Sequence, residues 1–292
     1  MKISVIIACY NAADTLAVQL EALANQQQWL EPWEVIISDN GSTDESVEVA
    51  RRFQEKLPNL RIVDSSQRKG AAYARNVAVE NAIGSALAFC DADDEVDSRW
   101  LMAMGQALSQ YDVVGGQIDY EKFNQKSVVT RKSDSWRNGF SYSQFMPHGA
   151  TCNLGVKRSA HEAIGGFDEK LLRNQDIDYC WRLQMKGFKL HYCPEALVHR
   201  RTARASRDLR CRRIRMVAES QVLLYKKYRS FGMFPEHTWK TIVKNWLILL
   251  KRMPLSIYSK EKRNRWLWEC LKEFIQCKGK LAGMIKYRIL IP

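Results

Sequence analysis

Asp91, Asp93 and Asp94 follow an apolar run, Ala86-Leu87-Ala88-Phe89-Cys90, so a buried strand would end on several carboxylates. Negative charge gathered at a sheet rim is costly without a cation beside it. Hard divalent ions such as Mg²⁺ and Mn²⁺ take oxygen ligands and bridge to phosphates. The cluster is therefore a metal–diphosphate site or a solvated turn, since Asp is common in turns. Asp39 follows a second buried run, Val35-Ile36-Ile37. A carboxylate there suits a nucleobase N–H, while Gly41 and Ser42 suit ordinary turn chemistry. Asp176 opens a helical pattern, as a helix cap or as a general base for an acceptor hydroxyl. His199 closes the short run Ala196-Leu197-Val198. A lone His is usually structural, but at a strand end it is a candidate third metal ligand.

Two further segments could meet a nucleotide. Ala8, Cys9, Tyr10 and Asn11 follow the first apolar run. They offer backbone groups and an aromatic to a base and ribose, although Asn11 is equally a helix cap. Arg68-Lys69-Gly70-Ala71-Ala72-Tyr73-Ala74-Arg75 puts cations and small residues at a helix start, where anions bind. Arg75 would face phosphates or pair with the acidic cluster; Arg68 and Lys69 read as solvated. No GxGxxG follows the first strand and no Walker A motif occurs, which disfavours dinucleotide dehydrogenases and P-loop enzymes.

The elements that must position these residues alternate. Ile3–Cys9, Val35–Ile37, Arg61–Val63 and Ala86–Cys90 read as buried strands. Helices are expected from Asn11 to about Gln28, from the capping box Ser42-Thr43-Asp44-Glu45 to near Leu57, from Ala71 to Ile83, and from Arg99 to Ser109. This order predicts an α/β domain with a mainly parallel sheet, whose ligands lie outside the carboxyl ends of the strands. Residues 112–144 look more irregular and antiparallel, with strands at Val113–Gln117 and Ser127–Thr130. A helix is expected from Gln175 to Lys186. Beyond Arg200 the pattern turns to long helices, and no run reaches the ~18 apolar residues a bilayer span needs.

The chain has 292 residues, enough for one large domain or two smaller ones. Its charge is uneven. Residues 201–292 hold 23 Lys and Arg against 6 Asp and Glu, a net +17, while residues 1–200 hold 22 against 26, a net −4. Such asymmetry suggests two units, one of which meets an anionic surface. Trp239, Trp246, Trp266, Trp268 and Phe274 mix with Lys and Arg in the basic part, as in helices that lie on anionic membranes. Packing on the first domain or on another subunit is the alternative; nucleic acid is not expected as a partner, because the tail has no recognised module. The eight cysteines form no CxxC pair and read as reduced thiols. The first residues lack a signal-peptide pattern, so the expected location is cytoplasmic.

Taken in order, these motifs resemble the family-2 inverting glycosyltransferases of GT-A fold. The resemblance runs from Ser4-Val5-Ile6-Ile7-Ala8-Cys9-Tyr10-Asn11 through the Asp39–Asp44 turn, Lys69-Gly70 with Ala74-Arg75-Asn76, and Asp91-Ala92-Asp93. It continues with Asn153-Leu154-Gly155-Val156-Lys157-Arg158, Gly165-Gly166-Phe167-Asp168-Glu169, Gln175-Asp176-Ile177-Asp178 and Val198-His199. It implies a Rossmann-like nucleotide-sugar-binding domain over residues 1–205, followed by a basic helical region over 206–292. Ala8, Tyr10, Asn11, Asp39, Gly70, Arg75, Asp91 and Ala92 would line the nucleotide sugar, with Asp39 on the base, most often uracil. Asp93 and His199 would hold Mg²⁺ or Mn²⁺, and Asp176 would be the catalytic base. Gln175 stands where the family has Glu. The implied activity is sugar transfer from a nucleoside-diphosphate sugar to a glycan or lipid-linked acceptor in polysaccharide or cell-envelope biosynthesis. The implied place is the inner face of the cytoplasmic membrane. Gln175 motivates an alternative, a non-catalytic nucleotide-sugar-binding or scaffold protein.

Overall fold

The computed structural model of the chain describes residues 1–27, 29–124, 140–142, 145–202, 206–235, 238–257 and 259–291. Gln28, Arg204 and the expected strand at Ser127–Thr130 lie outside the described residues. The chain divides into two compact units, Met1–Lys170 with Gln175–Ala203, and Leu171–Asn174 with Arg204–Pro292.

The first unit opens with β1 (Ile3–Cys9), α1 (Ala13–Ala24), β2 (Trp33–Asp39), α2 (Ser46–Arg52), β3 (Leu60–Asp64), α3 (Ala71–Asn81) and β4 (Ala86–Asp91). It continues with β5 (Glu95–Val96), α4 (Trp100–Gln110), β6 (Val113–Asp119), β7 (Ser141–Tyr142), β8 (Pro147–His148) and β9 (Asn153–Lys157). Then come α5 (Arg158–Ala163), α6 (Gln175–Met185) and β10 (Leu190–His199). Among the described residues eight strands form one sheet in the order β3-β2-β1-β4-β9-β6-β10-β5.

The sheet is mixed: four of its strand pairings are parallel, in line with the expectation of a mainly parallel sheet, and three are antiparallel. β9 pairs antiparallel with both β4 and β6, and β5 pairs antiparallel with β10. β9 thus runs against both of its neighbours. The two reversals around β9 cancel. As a result β3, β2, β1, β4, β6 and β10 all point the same way. Register then levels their ends: Asp64 opposite Asp39, Asp39 opposite Cys9, Asp91 opposite Ala8, and His199 opposite Asp119.

Both sheet faces are covered, which is why the inner strands read as unbroken apolar runs. Ile3, Val5 and Ile7 meet Leu16, Leu20 and Leu23 of α1 and Trp100, Met104 and Leu108 of α4. Ile6, Leu87 and Phe89 point the other way, to α3 and to Tyr179 and Leu183 of α6. Each such side chain contributes roughly 1.5–3 kcal/mol by leaving water. α1 ends at Ala24, before Gln28, because the Asn25 amide donates to the Glu21 carbonyl at 2.9 Å and closes the last turn. α2 stops at Arg52, short of Leu57.

In the second unit α7 (Arg207–Tyr228), α8 (Trp239–Ile257) and α9 (Lys260–Tyr287) follow in order. The Ser206 hydroxyl caps α7 by accepting from the Leu209 N–H at 3.2 Å. α7 and α9 approach through glycine: a Cβ on Gly279 would lie 2.6 Å from the Arg215 carbonyl oxygen, and one on Gly283 2.9 Å from Val222 Cγ2. α8 is tied to α9 by the Trp266 indole, which donates to the Leu249 carbonyl at 2.8 Å. Among the described residues no helix is long and apolar enough to cross a membrane.

Candidate active site

The site is built on the rim where the six strands end. At β2, Asp39 turns back on its own loop: its carboxylate accepts from the Gly41 N–H at 3.2 Å and the Ser42 N–H at 3.2 and 3.3 Å. Gly41 has φ 78°, a left-handed value that costs an L side chain about 1 kcal/mol or more. Asn11 is not a helix cap. Its side-chain oxygen accepts from the Thr43 N–H at 2.8 Å, and its own N–H donates to Ser42 Oγ at 3.0 Å. Asp44 serves two helices: its carboxylate accepts from the Ser46 N–H at the start of α2 at 3.1 Å and from the Ala13 N–H of α1 at 3.0 Å, and Ser46 Oγ accepts from the Ala12 N–H at 2.8 Å. Ala8 is half-buried on the rim, and Tyr10 stands 53% exposed beside it.

Asn40, which sequence reasoning passed over, pins the next loop. Its amide nitrogen donates to the Ser65 carbonyl and to the Arg68 carbonyl, the latter at 2.7 Å, and its oxygen accepts from the Gly70 N–H at 2.7 Å. Gly70, at φ 140°, opens α3, and a Cβ there would meet nothing within 4 Å. The open space above it leaves room for a ligand's approach.

One turn into α3, buried Arg75 donates to Asp91 Oδ1 at 2.9 Å and to Gln175 Oε1 at 3.3 Å. It therefore joins the acidic cluster to the first residue of α6, next to Asp176. Asp176 is half-buried, and its Oδ1 accepts from the Ile177 N–H at 3.0 Å. α6 is held against the segment before β9: the Trp181 indole donates to the Met146 carbonyl and Gln184 to the Pro147 carbonyl, both at 2.8 Å. Buried His148 feels the negative charge of Asp176, although burial still leaves its ring harder to protonate than usual. Its nearness to Asp176 has no local sequence signal.

The cluster itself separates into distinct environments. Ala92 is buried and Asp93 half-buried, and burial together with the Asp91 charge raises the Asp93 carboxyl above its ordinary range. Asp94, which the sequence leaves open between the metal site and a simple turn, is 1% exposed. Burial and the Asp91 charge push its carboxyl up to about 8. Its Oδ1 accepts from the Arg201 N–H at 2.8 Å, while its Oδ2 is buried with no hydrogen-bond partner. Asp91, Asp94 and Cys152 each bring one ligand atom within 4.8 Å of the others. The two carboxylates, with an orphaned buried oxygen, fit a hard divalent cation, Mg²⁺ or Mn²⁺. Cys152 does not: burial holds its thiol well above the ordinary range, and hard ions select oxygen. His199 and Asp93 fall outside that group. His199 Nδ1 pairs with Asp119 Oδ2 at 2.7 Å, which orients the ring and directs its other nitrogen elsewhere. Arg200, not singled out by the sequence, reaches Cys152 Sγ at 3.2 Å and stands 3.9 Å from Asp91 and 4.0 Å from Asp94.

Six co-directed strands end on an acidic rim, and Arg75 ties that rim to a carboxylate-bearing helix start. Comparison with known proteins gives the class. The model of the family described as "Glycosyl transferase family 2" matches residues 4–165. The chain belongs to that family.

It is 30% identical over 199 residues to glycosyltransferase AglE of Haloferax volcanii, covering 67% of this chain and 65% of that protein. It is 45% identical over 138 residues to glycosyltransferase YibD of Escherichia coli, covering 47% and 38% respectively. The matches thus span under two thirds of either relative. Among solved structures, the mannosyltransferase PcManGT of Pyrobaculum calidifontis, in complex with GDP-Man and Mn²⁺, superposes with a TM-score of 0.68 at 18% identity, over 96% of this chain and 86% of that one. TarS of S. aureus does so with a TM-score of 0.58 at 17% identity, over 94% and 55%. At those identities the likeness shows the fold.

Proposed function

We propose that the chain is an inverting glycosyltransferase that moves a sugar from a nucleoside-diphosphate sugar, UDP-linked, to a hydroxyl of a glycan or lipid-linked acceptor in polysaccharide or cell-envelope biosynthesis. The observation that carries this reading is Arg75, which ties Asp91 to Gln175 and so sets the metal rim beside the Asp176 carboxylate. The named activities of relatives support the pathway class. They include amylovoran biosynthesis for AmsB of Erwinia amylovora and O-antigen chain rhamnosyl transfer for RfbN of Salmonella typhimurium. PcManGT in complex with GDP-Man and TarS in complex with UDP-GlcNAc both support a nucleoside-diphosphate-sugar donor.

In this mechanism Asp39 holds the base and the Asn11–Ser42 bridge shapes the ribose end. Asp176 takes the proton from the acceptor hydroxyl as its oxygen attacks the anomeric carbon. The bond to the diphosphate breaks on the opposite face, and the electron pair leaves with the diphosphate. Asp91 and Asp94 would hold Mg²⁺ or Mn²⁺, which would supply positive charge for that leaving group. One base and one displacement give inversion without a covalent sugar intermediate. Replacing Asp176→Asn should lower turnover by about a hundredfold to ten-thousandfold while nucleotide-sugar binding persists. A variant with undiminished transfer would remove Asp176 as the base. A screen of nucleoside-diphosphate sugars with Mg²⁺ or Mn²⁺ tests the non-catalytic reading that Gln175 raises: no release of nucleoside diphosphate with any donor would favour it.

The second unit gives a reason to place the enzyme on the inner face of the cytoplasmic membrane. α8 carries Lys240, Lys244, Lys251 and Arg252 and no acidic residue. At 3.6 residues per turn, Leu249 faces α9, while Trp239, Val243, Leu247 and Leu250 form an exposed arc. The lysines flank that arc on one side. An apolar stripe bordered by cations fits an anionic lipid surface, each cation adding about 1 kcal/mol. Full-length chain should sediment with phosphatidylglycerol vesicles and not with phosphatidylcholine alone. The Leu247→Glu, Leu250→Glu double variant should weaken this by roughly tenfold or more. Equal binding to both vesicle types, or no loss in the variant, would reject the placement.

A further inference from the structure

Arg200 occupies an unusual position. Its backbone is fixed across the rim, the N–H donating to the Asp119 carbonyl and the carbonyl accepting from Asn124, both at 2.7 Å. The next N–H, of Arg201, anchors Asp94. Its guanidinium is held far less firmly. It bonds Cys152 Sγ at 3.2 Å and the Tyr120 hydroxyl, and the carboxylates of Asp91 and Asp94 stand at 3.9 and 4.0 Å, outside hydrogen-bond range. At that separation the cation offsets their charge while leaving the buried Asp94 Oδ2 without a hydrogen bond. A resident arginine built to stay would close a bidentate fork on one of them.

The charges argue further. Asp91, Asp93 and Asp94 face Arg75, which is bonded to Asp91, and Arg200; the Arg201 guanidinium is turned onto the Phe123 ring at 3.9 Å. A divalent ion entering this group alone would meet a fixed positive charge about 4 Å from its carboxylates. It becomes favourable only when an anion draws the guanidinium away. The donor's diphosphate is such an anion, and the planar guanidinium fork matches phosphate oxygens.

We propose that Arg200 is a placeholder cation and coupling residue: it balances Asp91 and Asp94 in the empty site, then moves to the diphosphate, so that metal and nucleotide bind as a unit. This rests on the metal–diphosphate reading of the site. The coupling is reciprocal, so it can be measured from the metal side alone.

The test follows free Mn²⁺ by electron paramagnetic resonance as it is titrated into the metal-free full chain, alone and with UDP or pyrophosphate. Two diphosphate probes make the outcome independent of the base. Wild type should bind Mn²⁺ weakly alone and more tightly with either probe. Arg200→Gln should bind Mn²⁺ alone on the order of tenfold tighter, the scale of one removed charge about 4 Å away, and should lose most of the probe's effect. Arg200→Lys keeps the charge and should stay near wild type for Mn²⁺ alone. Melting curves establish that each variant is folded; if Arg200→Gln does not fold, Arg200→Met takes its place. An uncharged variant that binds Mn²⁺ no tighter than wild type, or that keeps the full effect of the probes, overturns the proposal. Wild type that takes up no Mn²⁺ under any of these conditions overturns the metal-centre reading beneath it.

Discussion

At the scale of single residues, burial decides what each ionisable group can do. His161 of α5 is enclosed by Phe89, Phe167 and Tyr179, with its Nδ1 2.7 Å from the Tyr179 hydroxyl. Burial, reinforced by the Arg158 and Arg182 charges, lowers its ring to about 4 from an ordinary 6.5. Between those values the unfolded chain binds the extra proton and the folded chain does not. Stability from this site is therefore complete above about pH 6.5 and declines as the pH falls towards about 4. The loss amounts to about 3 kcal/mol at most. Urea midpoints measured from pH 7 to pH 4 should show this slope, and His161→Gln should flatten it; an unchanged slope would assign the acid sensitivity elsewhere. The same dependence on surroundings explains which site residues the sequence revealed. Asp39, Asp91 and Asp176 were legible because each ends or opens an element whose apolar pattern is local. Asp94 and Asp119 were not. Asp94 is closed over by the backbone of Arg201, and Asp119 meets His199 only through the register of β6 and β10. Nothing within a few residues of either position announces such partners.

At the scale of elements, β1 to β4 and their helices were legible because strands covered on both faces must be continuously apolar. The reversal at β9 was not, since strand direction is set by the path of the intervening chain and leaves no mark on the strand itself. Capping was legible only in part, for a related reason. Asp44 meets the first N–H of α2, as the motif suggests, but Ser42, Asp44 and Ser46 also meet N–H groups of α1 and its approach. A local motif says that a donor will be met, and not which helix supplies it. The α7–α9 contact yields a sharper expectation. A methyl group at Gly279 would press on the Arg215 carbonyl at 2.6 Å and the Ala218 Cβ at 2.9 Å, neither of which is the end of a flexible side chain. Gly279→Ala gains helix propensity of about 1 kcal/mol. It should still lower stability by about 1–3 kcal/mol through overpacking. Denaturant unfolding measures the sign, and a net gain would mean that the two helices can separate without loss.

At the scale of the whole molecule, a slightly acidic unit that holds a metal–diphosphate rim is joined in one chain to a strongly basic helical one. The division was visible as a charge count before any element was assigned. The mixed sheet of the first unit also bears on how the chain is made. β4 lies inside the sheet only once β9 has been laid along it, and β9 is contributed from far downstream. Until then a nascent chain that has already paired β3, β2, β1 and β4 carries an uncovered strand edge that is apolar from Ala86 to Cys90. Such an edge is a template for another chain. A fragment ending at Gln110 should thus gain helical circular dichroism yet associate with itself, and a monodisperse monomer in sedimentation would contradict this. The antiparallel strand that gives the sheet its mixed character is then also the late-arriving seal of its synthesis, and the interval before it arrives is when this chain is most exposed to aggregation.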